Sequence, residues 1–182
     1  MKVRGLTVAL SILVAATRGL MAEEPAHNHD DMADCPMKAD HAAGVDDRGD
    51  KGMGFSHTKT THHFRIGADG GAIEVTANDA NDQTSRDQIR GHLAHIAKLF
   101  GQGNFEIPMF VHDQKPPGAE VMAQMKSKIV YQYEELETGG RVRIATTDPQ
   151  ALRAVHDFLR FQIKEHRTGD PMEAREKVES SK

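Results

Sequence analysis

Twice along this chain, two runs of alternating apolar and polar residues meet at a Gly-Gly pair and lead into an amphipathic helical pattern. In the first copy Phe64 and Ile66 alternate with His63 and Arg65, the turn is Ala68-Asp69-Gly70-Gly71, and Ile73, Val75 and Ala77 alternate with Glu74 and Thr76. Period-two alternation around Asp-Gly-Gly predicts a β-hairpin. Ile89, Leu93, Ile96 and Phe100 then fall on one helical stripe, with Asp79, Asp82 and Ser85 as candidate N-caps and Gly101 past the end, which predicts a helix over 84–100.

The second copy sets Tyr131 and Tyr133, then Gly139-Gly140, then Val142 and Ile144, before a helix bearing Leu152, Val155, Leu159 and Ile163. Aligning Gly70-Gly71 with Gly139-Gly140 and Ile89-Arg90 with Leu152-Arg153 takes one gap of six residues. The expected fold is therefore α+β: duplicated ββα units forming one antiparallel sheet, with helices packed on one face. Between the copies Pro108 to His112 reads as an extended edge segment, with Met109 in the core and His112 exposed. Met122 and Met125 belong to a short helix after Pro116-Pro117-Gly118, as core residues.

The first 22 residues have the parts of a secretory signal peptide: Lys2 and Arg4, an apolar run from Gly5 through Ala16, then small residues. That run is too short to span a bilayer, so the mature chain is expected to be periplasmic or secreted, with no transmembrane segment. Residues 23–53 have no apolar periodicity and read as a disordered acidic arm, 54–168 as the α+β domain, and 169–182 as a flexible charged tail. Charge follows this division. Residues 23–50 hold nine acids against Lys38 and Arg48, a net of −7, the first 22 residues carry +3, and residues 51–182 are neutral, in agreement with the chain's −4. An acidic arm on a neutral body argues against nucleic acid and favours cations.

The arm also concentrates soft and borderline ligands, with His27, His29, Met32, Cys35, Met37 and His41 inside fifteen residues. Thioether and thiolate prefer Cu(I), and imidazole serves copper, zinc and nickel alike, so the mixture points to copper ahead of zinc. The spacing matches no zinc finger, and Cys35, the chain's one cysteine, has no disulfide partner within it.

In the domain, strand alternation puts His62 on the face of Phe64 and Ile66. Helical spacing puts His92 inside one apolar stripe, His95 at its edge, and His156 inside the other stripe. If the helices pack side by side over the first hairpin, His62, His92 and His156, with His95 nearby, could converge on a metal or haem. For any one of them the ordinary alternative is a half-buried ring bonded to a backbone carbonyl. His156 and His166 stand about 15 Å apart along one helix and cannot share an ion. No dinucleotide fingerprint, phosphate-binding Gly-Lys-Ser/Thr loop or HExxH zinc motif is present, which names no reaction and leans away from an enzyme.

The stretch "MGFSHTKTTHHFRIGADGGAIEV", with "RDQIRGHLAHIAKLF" and "FLRFQIKEHRTGDP", resembles a family of small exported bacterial proteins over residues 52–171. Some of its members are labelled aspartate carbamoyltransferase, although this chain has no Ser-Thr-Arg-Thr carbamoyl-phosphate motif. The resemblance extends to a His/Met-rich segment with Cys-Pro-Met ahead of the domain and implies no activity or site residues. The leading expectation is a metal-binding protein that stores, delivers or guards copper, with a metal-handling protein as possible partner. The alternatives are a metal- or haem-dependent enzyme and a domain for a non-metal ligand or a protein partner.

Overall fold

The computed structural model describes residues 36–175. In chain order they form α1 (Pro36–Met53), β1 (Thr60–Gly67), β2 (Gly70–Ala77), α2 (Gln83–Gly101), α3 (Glu106–His112), α4 (Ala119–Gln124), β3 (Ile129–Leu136), β4 (Gly139–Thr146) and α5 (Pro149–Glu165). The strands make one antiparallel sheet in the order β1-β2-β4-β3, and both long helices lie on its apolar face. The α+β class and the ββα order of each unit agree with the sequence pattern.

The two units are related by an internal two-fold. A shift of 69 residues carries Thr60↔Ala77 onto Ile129↔Thr146 and Gly67↔Gly70 onto Leu136↔Gly139. The same shift exchanges the two ends of the central pairing, Gly70↔Ala145 and Thr76↔Gly139. The helices obey a shift of 66. Asp82 caps α2 by accepting from the Ser85 N–H, and Asp148 caps α5 by accepting from the Gln150 and Ala151 N–H groups. The repeat therefore closes with a gap of three residues instead of six, because the alternation of apolar side chains leaves helical register ambiguous by one turn.

Each helix packs chiefly over the other unit's hairpin: α2 crosses β3 and β4, while α5 crosses β1 and β2. Leu93 of α2 sits against Gly140, where a Cβ would stand 3.3 Å from its Cδ1. Leu159 of α5 sits against Gly71 in the equivalent way, closely enough that any side chain there would collide with it. The paired glycines are thus docking positions for helices as well as hairpin signals. The core of Phe64, Val75, Leu93, Phe100, Val142, Ile144, Phe158 and Leu159 draws on both units.

Three segments differ from expectation. Residues 36–53, read as part of an unstructured arm, form α1, with Val45 buried and Arg48 Nε donating to the Val111 carbonyl of α3 at 2.9 Å. Pro108 to His112 is helical and not extended, and His112 is 1% exposed. Residues 169–175, assigned to a flexible tail, run beside β1. There Asp170 accepts from the Phe64 N–H at 2.9 Å, and the Arg175 N–H donates to the Ile66 carbonyl at 2.9 Å. This contact blunts one edge of the sheet. The signal-peptide segment and the arm ligands His27, His29, Met32 and Cys35 lie outside the described residues, and Met37 falls in the first turn of α1.

Candidate functional site: a histidine and methionine cavity

Between β1, α2, α3 and α5 lies a cavity of about 70 Å³ whose apolar walls include Leu93, Phe100 and Phe158. Its polar lining is Met53, His62, His92, His112, Gln162 and His166. Alternation aims His62 inward beside Phe64, and the α2 stripe carries His92 to the opposite wall. Met53 arrives at the end of α1, and His166 is the residue that closes α5.

Met53 Sδ stands 3.3 Å from His62 Nε2. The ring centroids of His62 and His166 are 5.5 Å apart, and those of His166 and His112 are 5.1 Å apart. Two imidazoles on one ion, each bound at about 2.0 Å, place their centroids roughly 5 Å apart, and a nitrogen and a sulfur sharing an ion sit about 3.5 Å apart. The separations around His166 and Met53 are of that order, but the His62 and His166 rings stack with their planes 9° from parallel, so one ring must turn before both nitrogens meet an ion. Among the described residues, no three His, Cys, Asp or Glu side chains already surround a common point. The pair His62 and His166 would therefore need the thioether of Met53 to complete a three-ligand set.

Burial holds these rings uncharged. Desolvation first, then repulsion from His92, lowers His62 to about 4. Desolvation lowers His92 to about 4 as well, and it pushes His166 well below the usual imidazole range, with His62 and His112 adding to the effect. His112 is lowered by burial against the opposing pull of Gln162 and Glu165. A neutral imidazole has a lone pair free for a metal, so the cluster is ligand-competent without first losing a proton.

His156 does not join this group. Its Nε2 donates to the Gly67 carbonyl at 2.9 Å, the ordinary fate of a half-buried histidine, and His95 is exposed. The cluster anticipated as His62, His92 and His156 is corrected to His62, His92, His112 and His166 with Met53. His41 stands at the protein surface, 2.7 Å from Glu165 Oε2. The replacements carried weak signals in sequence. By sequence Met53 is the last residue of the arm, His112 the exposed end of an extended edge segment, and His166 too far from His156 to share its ion, although His166 faces the cavity.

A polar cleft of about 250 Å³ shares Met53, His62 and His166 with the cavity and is bordered by Asp46, His57, His63 and Arg167. The His62, Met53 and His166 wall thus has a mainly apolar side and a polar side.

The internal two-fold supplies a control for these residues. The strand shift carries His62 onto Tyr131, and the helix shift carries His166 onto Phe100, Gln162 onto Ile96 and Phe158 onto His92. Phe100 and Tyr131 meet edge to face at 5.8 Å, whereas His62 and His166 at the equivalent positions stack nearly parallel at 5.5 Å. The scaffold evidently accepts phenyl and phenol rings where the other half buries imidazoles.

Comparison of the chain with protein-family models, curated proteins and solved structures returns no match.

Proposed function

We propose that this is an exported metal-binding protein of the periplasm, handling copper in storage, delivery or protection, with Met53, His62 and His166 as the ligands of its domain site. The observation that carries the reading is the Met53 Sδ and His62 Nε2 pair at 3.3 Å beside a second half-buried, uncharged imidazole, that of His166. Thioether with neutral imidazole is a soft-to-borderline set that suits Cu(I) above magnesium, calcium or manganese. The volume leaves room for an ion with a small ligand. His92 and His112 stand on the cavity wall and keep it free of like charge while neutral.

The arm residues His27, His29, Met32, Cys35, Met37 and His41 supply a second set of the same character and would capture the ion outside the cavity. The export signal read at residues 1–22 supports a compartment where copper is met outside the cytosol.

Anaerobic Cu(I) titration of the mature protein against a chromophoric chelator tests the reading. Met53→Leu and His62→Tyr each remove a ligand and should weaken the domain site by at least about 10- to 100-fold, the range that loss of an outer hydrogen-bond partner alone costs. Unchanged competition by both variants in a chain that also lacks residues 23–35 would sink it.

A further inference from the structure

His112 is buried with its side chain wholly shielded, and its Nε2 lies 2.9 Å from Gln162 Oε1. That bond places the proton on Nε2 and leaves Nδ1 with a lone pair. Nδ1 has no hydrogen-bond partner, yet it faces Glu165 Oε2 at 3.6 Å. Turning the Gln162 amide over would put the proton on Nδ1, but 3.6 Å is too long for a hydrogen bond to the carboxylate. The amide's other polar atom would stay unpaired as well. The same Glu165 oxygen lies 2.7 Å from Nε2 of the half-exposed His41. A buried imidazole lone pair and a carboxylate oxygen therefore face one another with no donor between them, next to a histidine that is free to swing.

Two acceptors so placed call for a cation. We infer that His41, Glu165 and His112 form a second, outer metal station that takes a divalent first-row ion of the zinc and copper(II) class. Two imidazoles and one carboxylate are a borderline set that suits such ions, and they are harder than the Met53, His62 and His166 set. Gln162 holds His112 in the tautomer that presents Nδ1, as the outer hydrogen bond of a metal-bound histidine ordinarily does. The described side chains do not yet surround a point. Closing the site requires His41, whose side chain is 46% exposed, to give up its 2.7 Å contact and Glu165 to draw nearer His112 than 3.6 Å. The station stands where α1 meets α5, and His112 is also a wall of the cavity, so an ion held there would be one residue from His166. The inference goes beyond the copper reading of the cavity and stands or falls independently of it.

The test uses the full mature chain labelled with ¹⁵N and titrated with Zn²⁺, following the imidazole nitrogens by long-range ¹H–¹⁵N correlation. Nδ1 of His112 should move on Zn²⁺ addition with Nε2 still protonated, and His41→Ala and Glu165→Gln should each weaken that response about 10- to 100-fold. Met53→Leu should leave it unchanged. A His112 signal that stays fixed while Zn²⁺ saturates the rest of the chain would overturn the outer station. So would a response equal in the wild type, His41→Ala and Glu165→Gln. Each variant's thermal unfolding midpoint shows that the fold persists, and His41→Ala, at the surface, keeps the test informative if Glu165→Gln does not fold. Cu(I) competition by the same proteins reports the cavity separately: weakening in Met53→Leu with retention in Glu165→Gln supports two sites.

Discussion

The two halves of the sheet are built on one plan and filled with different chemistry. Around Tyr131 and Phe100 the space between strand and helix is occupied by aromatic rings, with Phe105 stacked on Phe100 at 4.3 Å and Phe158 edge-on to both. Around His62 and His166, at symmetry-related positions, imidazoles and a thioether surround a cavity. Rings of similar size satisfy the shape in both places, so packing alone does not require histidine. Burying imidazoles instead forfeits stability whenever they are obliged to charge. That one-sided cost is the physical support for the proposed ligand site.

The comparison can be broken most severely in the aromatic half. Phe100→Ala removes a ring 2% exposed and stacked on Phe105, and should cost about 3–5 kcal/mol in denaturant unfolding. Because Phe100 also lines the cavity, the space opened there should enlarge it without removing a ligand.

Acid should break the imidazole half next. Below pH 6.5 the unfolded chain takes up protons that native His62 and His92 refuse until about pH 4, so stability falls as pH drops through that window and levels off beneath it. The full loss is about 3 kcal/mol for each ring and is not additive, since the two repel once charged. Unfolding midpoints measured from pH 7.5 to 3.5 in wild type and His62→Tyr should differ in slope only between those limits. Identical slopes would mean that His62 is not held neutral by the fold.

Making the halves alike sharpens the contrast. The double variant His62→Tyr with His166→Phe copies Tyr131 and Phe100 onto their counterparts. Both changes enlarge the side chain, so the variant should lose about 1–3 kcal/mol at pH 7.5, as overpacked cores do. Its Cu(I) affinity at the domain site should be lost. Retained affinity would move the site elsewhere.

The smallest expected effect tests the symmetry itself. Asp82→Ala and Asp148→Ala each remove a helix N-cap and should each cost about 1 kcal/mol. A large difference between them would show that the two helices are not energetically equivalent despite their matched geometry.

Much of the architecture was legible because it rests on local rules. Alternation set which strand residues face inward, and the inward set Phe64, Ile66, Val75, Val142 and Ile144 is buried. The α2 stripe of Ile89, Leu93, Ile96 and Phe100 is likewise buried. Helix α1 was not legible. It contains Gly44, Gly49 and Gly52, each a helix-weakening residue by about 1 kcal/mol, and almost no apolar periodicity. Its stability comes from contacts with distant residues: Gly52 abuts Val111 and Phe110, Asp46 pairs with Arg167 at 2.8 Å, and His41 reaches Glu165. No window of sequence contains those partners.

The site divides along the same line. His62 and His92 were readable as inward-facing, because one strand or one helix fixes the direction of a side chain. His112, His166 and Met53 were not, because each sits at the end of its helix, where periodicity fades and only the packing of other elements decides what the side chain meets. The sequence alone determined that this chain folds as paired ββα units, with histidines on their apolar faces and a ligand-rich segment ahead of them. The tertiary structure decided which histidines meet: the helices cross to each other's hairpins, bringing the end of α5 over β1 and sending His156 to the Gly67 carbonyl instead.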